Sequence, residues 1–253
     1  MEEKILVLKG ISKSFEGIKA VDKVDMGFTK GKITALIGPN GAGKTTIFNL
    51  INGFLKPDEG EIYFKNENIT GLPPWEIAKR GIGRLFQDIR VFKKISVLEN
   101  VILGAKNIGE NPANIAFKRR TIYKSEREER EKAEEWLKFV GLEGKKELFA
   151  EELSYGQQKL LAIARLLMGN YELLLLDEPT AGIHPEMIKN LMNLIKKIVE
   201  TTGRTVIFIE HKMNVVVELA DWVYFLDEGK TVGFGRPDEI LGNREIRMTY
   251  LGL

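Results

Sequence analysis

Gly38-Pro39-Asn40-Gly41-Ala42-Gly43-Lys44-Thr45-Thr46 is the stretch whose reading decides the fold. The apolar run Ile33-Thr34-Ala35-Leu36-Ile37 precedes it, and Ile47-Phe48-Asn49-Leu50-Ile51 follows. The order is strand, glycine loop, helix, with the P-loop spacing G-x-x-x-x-G-K-[ST]. Glycines at 38, 41 and 43 let consecutive backbone N–H groups turn inward as an anion nest. A helix starting near Gly43 adds its positive dipole end and its unsatisfied N–H groups. Lys44 supplies a point charge for β- and γ-phosphates, and the Thr45 hydroxyl is placed to bind Mg²⁺. Pro39, Asn40, Ala42 and Thr46 complete the cradle. All four fixed positions stand in the right context, which favours a nucleotide loop over a plain glycine turn.

Composition bounds the rest. A chain of 253 residues suits one large α/β domain or two small ones with an ample core, and 43% hydrophobic and 29% charged residues read as globular. A net charge of +2 implies no strong nucleic-acid field, so no nucleic acid is expected as partner. With no cysteine there are no disulfides, Cys-ligated zinc or thiol catalysis. No apolar run approaches the ~18 residues of a membrane span. Met1-Glu2-Glu3-Lys4 is unlike a signal peptide. A cytoplasmic protein is expected, with any membrane role exercised through a partner.

Residues 5–8 and 21–28 read as strands of an antiparallel ribbon, with a turn at Glu16-Gly17. Phe15 beside that turn is either core or a stacking plate for an adenine ring. Residues 61–64 read as a strand and 72–81 as a short helix with Pro73-Pro74 at its start and Gly81 past its end. Residues 82–86 are strand-like. From about residue 88 to 169 the pattern is helical and interrupts the α/β alternation. Residues 107–114 read as a loop, and Ser125 with Glu128 as a capping box opening a charged helix. The Glu/Lys/Arg face of that helix reads as a solvated surface, and a nucleic-acid role for Lys118-Arg119-Arg120 is the lesser alternative. A second capping box, Ser154 with Gln157, opens a helix carrying Leu160, Leu161, Ala164 and Leu167. Leu173-Leu174-Leu175-Leu176 reads as a strand buried on both faces. A helix over 185–200, strands over 205–209, 223–226 and 230–234, and a helical tail over 239–253 complete the chain.

The candidate chemistry lies at strand ends. Asp177 ends a buried strand, where a carboxylate suits a metal ligand, directly or through water. Glu178, one step further on, can polarise an attacking water. His211 and Gln87 end two other strands, so these groups converge on the P-loop side of the sheet, where open α/β folds bind ligands. Ser154 marks a second helix N-terminus suited to an anion. Within one site it is redundant with the P-loop, and it makes sense if it completes the site of another copy.

These residues resemble the ATP-binding-cassette (ABC) ATPases across essentially the whole chain. Residues 38–46 match Walker A, Gln87 the Q-loop, residues 153–157 the signature, residues 173–177 with Glu178 Walker B and its glutamate, and His211 the switch histidine. The resemblance implies an α/β P-loop NTPase core, mostly parallel, with an N-terminal antiparallel ribbon and an inserted helical subdomain. The single domain 1–253 would divide into a core of 1–87 and 172–253 and a helical part of 88–171. It further implies two ATPs between head-to-tail subunits, with Ser154, Gly156 and Gln157 touching the γ-phosphate in trans. Glu178 would hold the water, His211 steady the γ-phosphate, Phe15 stack on adenine, and Thr45, Gln87 and Asp177 serve the Mg²⁺. The implied partners are a second ATPase subunit, identical or different, integral membrane permeases and indirectly a solute-binding protein. The protein would then sit peripherally on the cytoplasmic face of the cell membrane.

Within the family the chain looks like the larger ATPase type of branched-chain amino acid importers, with the lipopolysaccharide-transport ATPases as near neighbours. Residues 155–158, 84–87, 181–185, the insert near 106–130 and Tyr250-Leu251-Gly252 carry this likeness. Two positions depart from the family pattern. Tyr155 replaces the first glycine of Leu-Ser-Gly-Gly-Gln and is less tolerant of positive φ. His184 stands where the D-loop usually has aspartate, so no role of that carboxylate carries over. Arg90, Val91 and Phe92 would line a groove for a membrane partner's helix, with core packing as the alternative for Phe92. A soluble ABC ATPase acting on DNA or ribosomes usually has two cassettes or a long coiled-coil insert, and this chain has neither. A GTPase needs an Asn/Thr-Lys-x-Asp reader. The nearest stretch, Asp22-Lys23-Val24-Asp25, is too early and has the wrong first residue.

Overall fold

The structure is a computed structural model that describes residues 3–105, 119–243 and 246. The strands β1 (Lys4–Phe15) and β2 (Ile18–Thr29) pair antiparallel around Glu16-Gly17. Both turn residues have positive φ, 49° and 85°, the two-residue geometry that follows strand twist. Both strands outrun the expected apolar runs. β1 also pairs with β4 (Glu59–Phe64), and ladder bonds through several register shifts carry its polar end along. A short β5 (Glu67–Asn68) completes this sheet in the order β2-β1-β4-β5.

The second sheet consists of β3 (Ile33–Ile37), β6 (Ile82–Leu85), β7 (Leu173–Asp177), β8 (Thr205–Ile209), β9 (Trp222–Asp227) and β10 (Lys230–Gly235), in the order β10-β9-β3-β8-β7-β6. Only the β10–β9 pair is antiparallel. Every residue of β3, β7 and β8 is buried, which is why these strands are continuous apolar runs without alternation. Because β3, β8, β7 and β6 run parallel and adjacent, their carboxyl ends share one edge.

Helix α1 (Lys44–Ile51) follows the P-loop, and α2 (Pro74–Arg80) starts at proline and ends at Gly81, whose φ of 116° caps it. By contacts, one compact unit comprises Met1–Gln87, Glu172–Ala181 and Met192–Leu253, and the other Asp88–Tyr171 with Gly182–Leu191. Both sheets belong to the first. Leu6, Phe28, Leu36, Ile47, Phe48, Phe64, Leu175, Ile207 and Leu226 join them in one core with α1. Each such side chain contributes about 1.5–3 kcal/mol on burial.

The second unit contains α3 (Val97–Ile102), α4 (Arg119–Phe139) and α5 (Tyr155–Met168). The three helices pack on one another, with Val97, Val101, Ala133, Leu137, Leu161, Ala164 and Leu167 buried. Ser125 is not a helix start: α4 begins at Arg119. The capping-box pattern is local, and a backbone already helical upstream supplies the partners that a cap would otherwise provide. Residues 182–191, read with the core from sequence, cluster with the helical unit because Ile183 and Met187 approach Gly156. Helix α6 (Pro185–Thr202) follows. Helix α7 (Met213–Leu219), which the periodicity did not single out, precedes β9, and α8 (Pro237–Gly242), at the start of the expected helical tail, follows β10. The loop over 107–114, Lys118, the tail beyond 246 and Tyr250-Leu251-Gly252 lie outside the described residues.

Candidate active site

Two P-loop glycines are dictated by their neighbours. Gly38 has φ 147°, and a Cβ there would meet the Leu226 carbonyl oxygen at 2.0 Å. Gly43 has φ 95°, and its Cβ would meet the Ala20 oxygen at 2.4 Å. Gly43 is also the N-cap of α1, and no side chain caps that helix, so its first-turn N–H groups are left for an anion. Lys44 is buried and donates from Nζ to the carbonyls of Gly38 and Pro39, both at 2.8 Å. The lysine thus folds over the loop it serves. Burial lowers its pKa, with the Glu178 carboxylate opposing the shift. Thr45 is exposed at the first turn of α1.

At the shared strand edge, the structure brings Gln87, Glu178 and His211 together. Gln87 Nε2 donates to Glu178 Oε2 at 3.0 Å, and His211 Nε2 lies 3.1 Å from Glu178 Oε1. Each carboxylate oxygen thus has one side-chain partner, and each keeps a second lone pair that can accept from a water. Glu178 has φ 43°, unusual for a residue with a side chain, and its N–H donates to the Ile209 carbonyl at 3.1 Å.

Asp177 points elsewhere. Its Oδ2 accepts from Arg84 Nη2 at 2.6 Å, and Arg84 Nη1 donates to Asn49 Oδ1 at 2.7 Å. The guanidinium also lies over the rings of Phe48 and Phe86. Among the described residues no group of three or more His, Cys, Asp or Glu side chains could hold a metal. Mg²⁺ takes one or two protein oxygens and completes its shell with phosphate and water. The Thr45 hydroxyl and the second oxygen of Asp177 are of the right hard-oxygen type. Gln87 is turned to Glu178 here.

The signature residues lie in the other unit. Ser154 caps α5: its hydroxyl accepts from Gln157 N–H at 3.4 Å, and Gln157 Oε1 accepts from Ser154 N–H at 3.1 Å. Tyr155 is the first residue of α5 and is absent from the positive-φ residues, so replacing glycine there costs no backbone strain. Its ring stands against Gly182, where a Cβ would come 2.8 Å from Tyr155 Cε1. Gly156 is buried against Met187. His184 is exposed on that same turn.

Phe15 and Phe92 are 43% and 55% exposed, which removes the core reading for both. The buried Asn100 pins the backbone ahead of α3, accepting from Phe92 N–H and donating to Phe92 O, both at 2.9 Å. Two residues escaped the sequence reading as site candidates: Arg84 and the buried Glu210. A charged residue inside or directly after a mostly apolar strand was the available signal in both cases.

A glycine loop between a buried strand and a helix, with acid groups at the ends of neighbouring parallel strands, defines a P-loop ATPase. The chain belongs to the ABC transporter family of ATP-binding subunits: the family profile described as "ABC transporter" matches residues 21–181. It is 37% identical to the high-affinity branched-chain amino acid transport ATP-binding protein BraF of Pseudomonas aeruginosa, over 100% of this chain and 99% of that one. The crystal structure of the ADP conformation of MJ1267, an ATP-binding cassette of an ABC transporter, superposes with a TM-score of 0.85. It is 36% identical and covers 99% of this chain and 100% of its own. A dimeric post-hydrolysis state of the cassette MJ0796 bound to ADP and Pi gives 0.74 at 29% identity, over 92% of this chain and 98% of its own. The protein binds and hydrolyses ATP to energise an ABC transporter. Among the described residues no helix is long and apolar enough to cross a membrane.

Proposed function

We propose that this ATPase powers import of branched-chain amino acids, working as a nucleotide-dependent dimer on the cytoplasmic face of permease subunits. The full-length likeness to a branched-chain amino acid transport ATPase is the observation that carries the solute class. In this reading Phe15 stacks on adenine and residues 38–46 wrap the phosphates, with Lys44 supplying positive charge. Thr45, Asp177 and Gln87 hold a Mg²⁺ ion, which supplies charge neutralisation at the phosphates when bound. Glu178 accepts a proton from the attacking water, and His211 orients the Glu178 carboxylate and steadies the γ-phosphate. Ser154, Gly156 and Gln157 close on the nucleotide of a second subunit, identical or different. The dimeric structure of the MJ0796 cassette bound to ADP and Pi, 29% identical to this chain, supports a site completed in trans. The exposed Phe92, with Arg90 beside it, meets the permease.

Co-purification from membranes with two permease chains, followed by reconstitution into liposomes with a solute-binding protein, tests this reading. ATP-dependent uptake of labelled leucine is expected. Binding to permeases without uptake of any branched-chain amino acid would assign another solute. A tight, nucleotide-independent association with DNA or ribosomes would sink the transport role.

A further inference from the structure

We propose that Glu210 is a positioning residue for hydrolysis, clamping the turn after Glu178 to the start of the segment that carries His211. Glu210 follows β8 and is 3% exposed. A carboxylate there must be fully hydrogen-bonded, and its partners are two stretches of chain. Its Oε1 accepts from the Thr180 N–H at 3.1 Å and from the Thr180 hydroxyl. Its Oε2 accepts from the N–H groups of His211 at 3.0 Å and Lys212 at 3.3 Å. Lys212 Nζ returns to the Thr180 carbonyl at 3.4 Å.

These bonds close a ring. Thr180 lies two residues after Glu178, His211 adjoins Glu210, and His211 meets Glu178 at 3.1 Å. Glu178 holds a left-handed backbone, which side-chain residues disfavour, so its surroundings must maintain it. Burial in a low local dielectric strengthens each of these hydrogen bonds. Glu210 therefore sets the spacing between the two loops that present the carboxylate and the imidazole, while its own oxygens are spent on backbone and hydroxyl donors. A glutamine at 210 would put an NH₂ group against one of the two donor pairs and push them apart.

The inference rests on Glu178 and His211 being the hydrolytic pair. The test measures ATP affinity, KM and kcat on the purified full chain for wild type, Glu178→Gln, Glu210→Gln, Thr180→Val, His211→Ala and the double variant Glu210→Gln/His211→Ala. In Glu210→Gln, kcat is expected to fall about 10- to 100-fold, the scale of an ångström-level misplacement, with KM within about threefold. Thr180→Val, which keeps the backbone donor, moves kcat the same way by less. In the His211→Ala background, Glu210→Gln is expected to cost under about threefold more, because residues acting as one unit are not additive. The chain has two histidines, so the His211 ring resonance is identified by its loss in His211→Ala. It is expected to shift in Glu210→Gln. Wild-type kcat, an effect confined to KM, full additivity with His211→Ala or an unmoved His211 resonance would each overturn the proposal. If Glu210→Gln does not fold, Thr180→Val decides, and wild-type kcat there overturns it. Turnover persisting in Glu178→Gln refutes the hydrolytic pair itself. An inactive Glu178→Gln beside a fully active Glu210→Gln removes only the clamp.

Discussion

The guanidinium of Arg84 holds the carboxylate of Asp177 at 2.6 Å, with the two side chains only 3% and 7% exposed. The pair lies inside β6 and at the end of β7, neighbouring parallel strands. Replacing Arg84 by methionine leaves a buried carboxylate without its counter-charge. Such truncations cost about 3–5 kcal/mol, because the remaining charge stays desolvated. Urea unfolding of Arg84→Met should show a loss on that scale, and an unchanged midpoint would mean that the pair is not buried in solution.

Glu178 carries the hydrolytic assignment. Glu178→Gln keeps the size of the side chain and its contact with Gln87, but removes the group that accepts a proton. Turnover should fall by at least about 100-fold, while ATP binding stays intact. Size-exclusion chromatography with ATP should then show a dimer that wild type does not accumulate, and a mostly monomeric chain without nucleotide. Full activity in Glu178→Gln would reject the residue as base.

Lys44→Ala removes the buried ammonium that caps the P-loop carbonyls. Hydrogen bonds to charged groups contribute about 1.5–3 kcal/mol each, so ATP affinity should drop by about tenfold or more in calorimetric titration. Unaltered affinity would count against residues 38–46 as the triphosphate cradle.

Gly43→Ala tests backbone shape and leaves charge unaltered. With φ at 95° and the Ala20 oxygen 2.4 Å from the new Cβ, the loop must open or the β2 segment must shift. ATP binding should be lost, and stability should fall by about 1–3 kcal/mol, the usual cost of a forced left-handed residue plus displacement. A variant that binds ATP like wild type would show the loop to be more pliant than its packing implies.

The P-loop, the fully buried strands and the Ser154 cap were legible because each is a local pattern. Glycine spacing, uninterrupted apolar runs and a Ser-x-x-Gln box depend on neighbours a few residues away. The same locality misled at Ser125, whose box pattern sits inside α4. It also left Phe15 and Phe92 ambiguous, since an aromatic residue reads alike in core and on surface.

By itself the sequence determined that a triphosphate loop joins a buried strand to a helix, and that acid and imidazole groups follow other buried strands. Only the tertiary structure decided which of those groups touch. Parallel pairing in the order β3-β8-β7-β6 places residues 38, 177, 210 and 87 along one edge, although up to 172 positions separate them. It set Glu178 between Gln87 and His211, gave Asp177 to Arg84, and filled the carboxylate of Glu210 with Thr180 and the His211 backbone. The physical reason is that strand order and side-chain direction follow from long-range packing and ladder register. Neither is written in the spacing of residues along the chain.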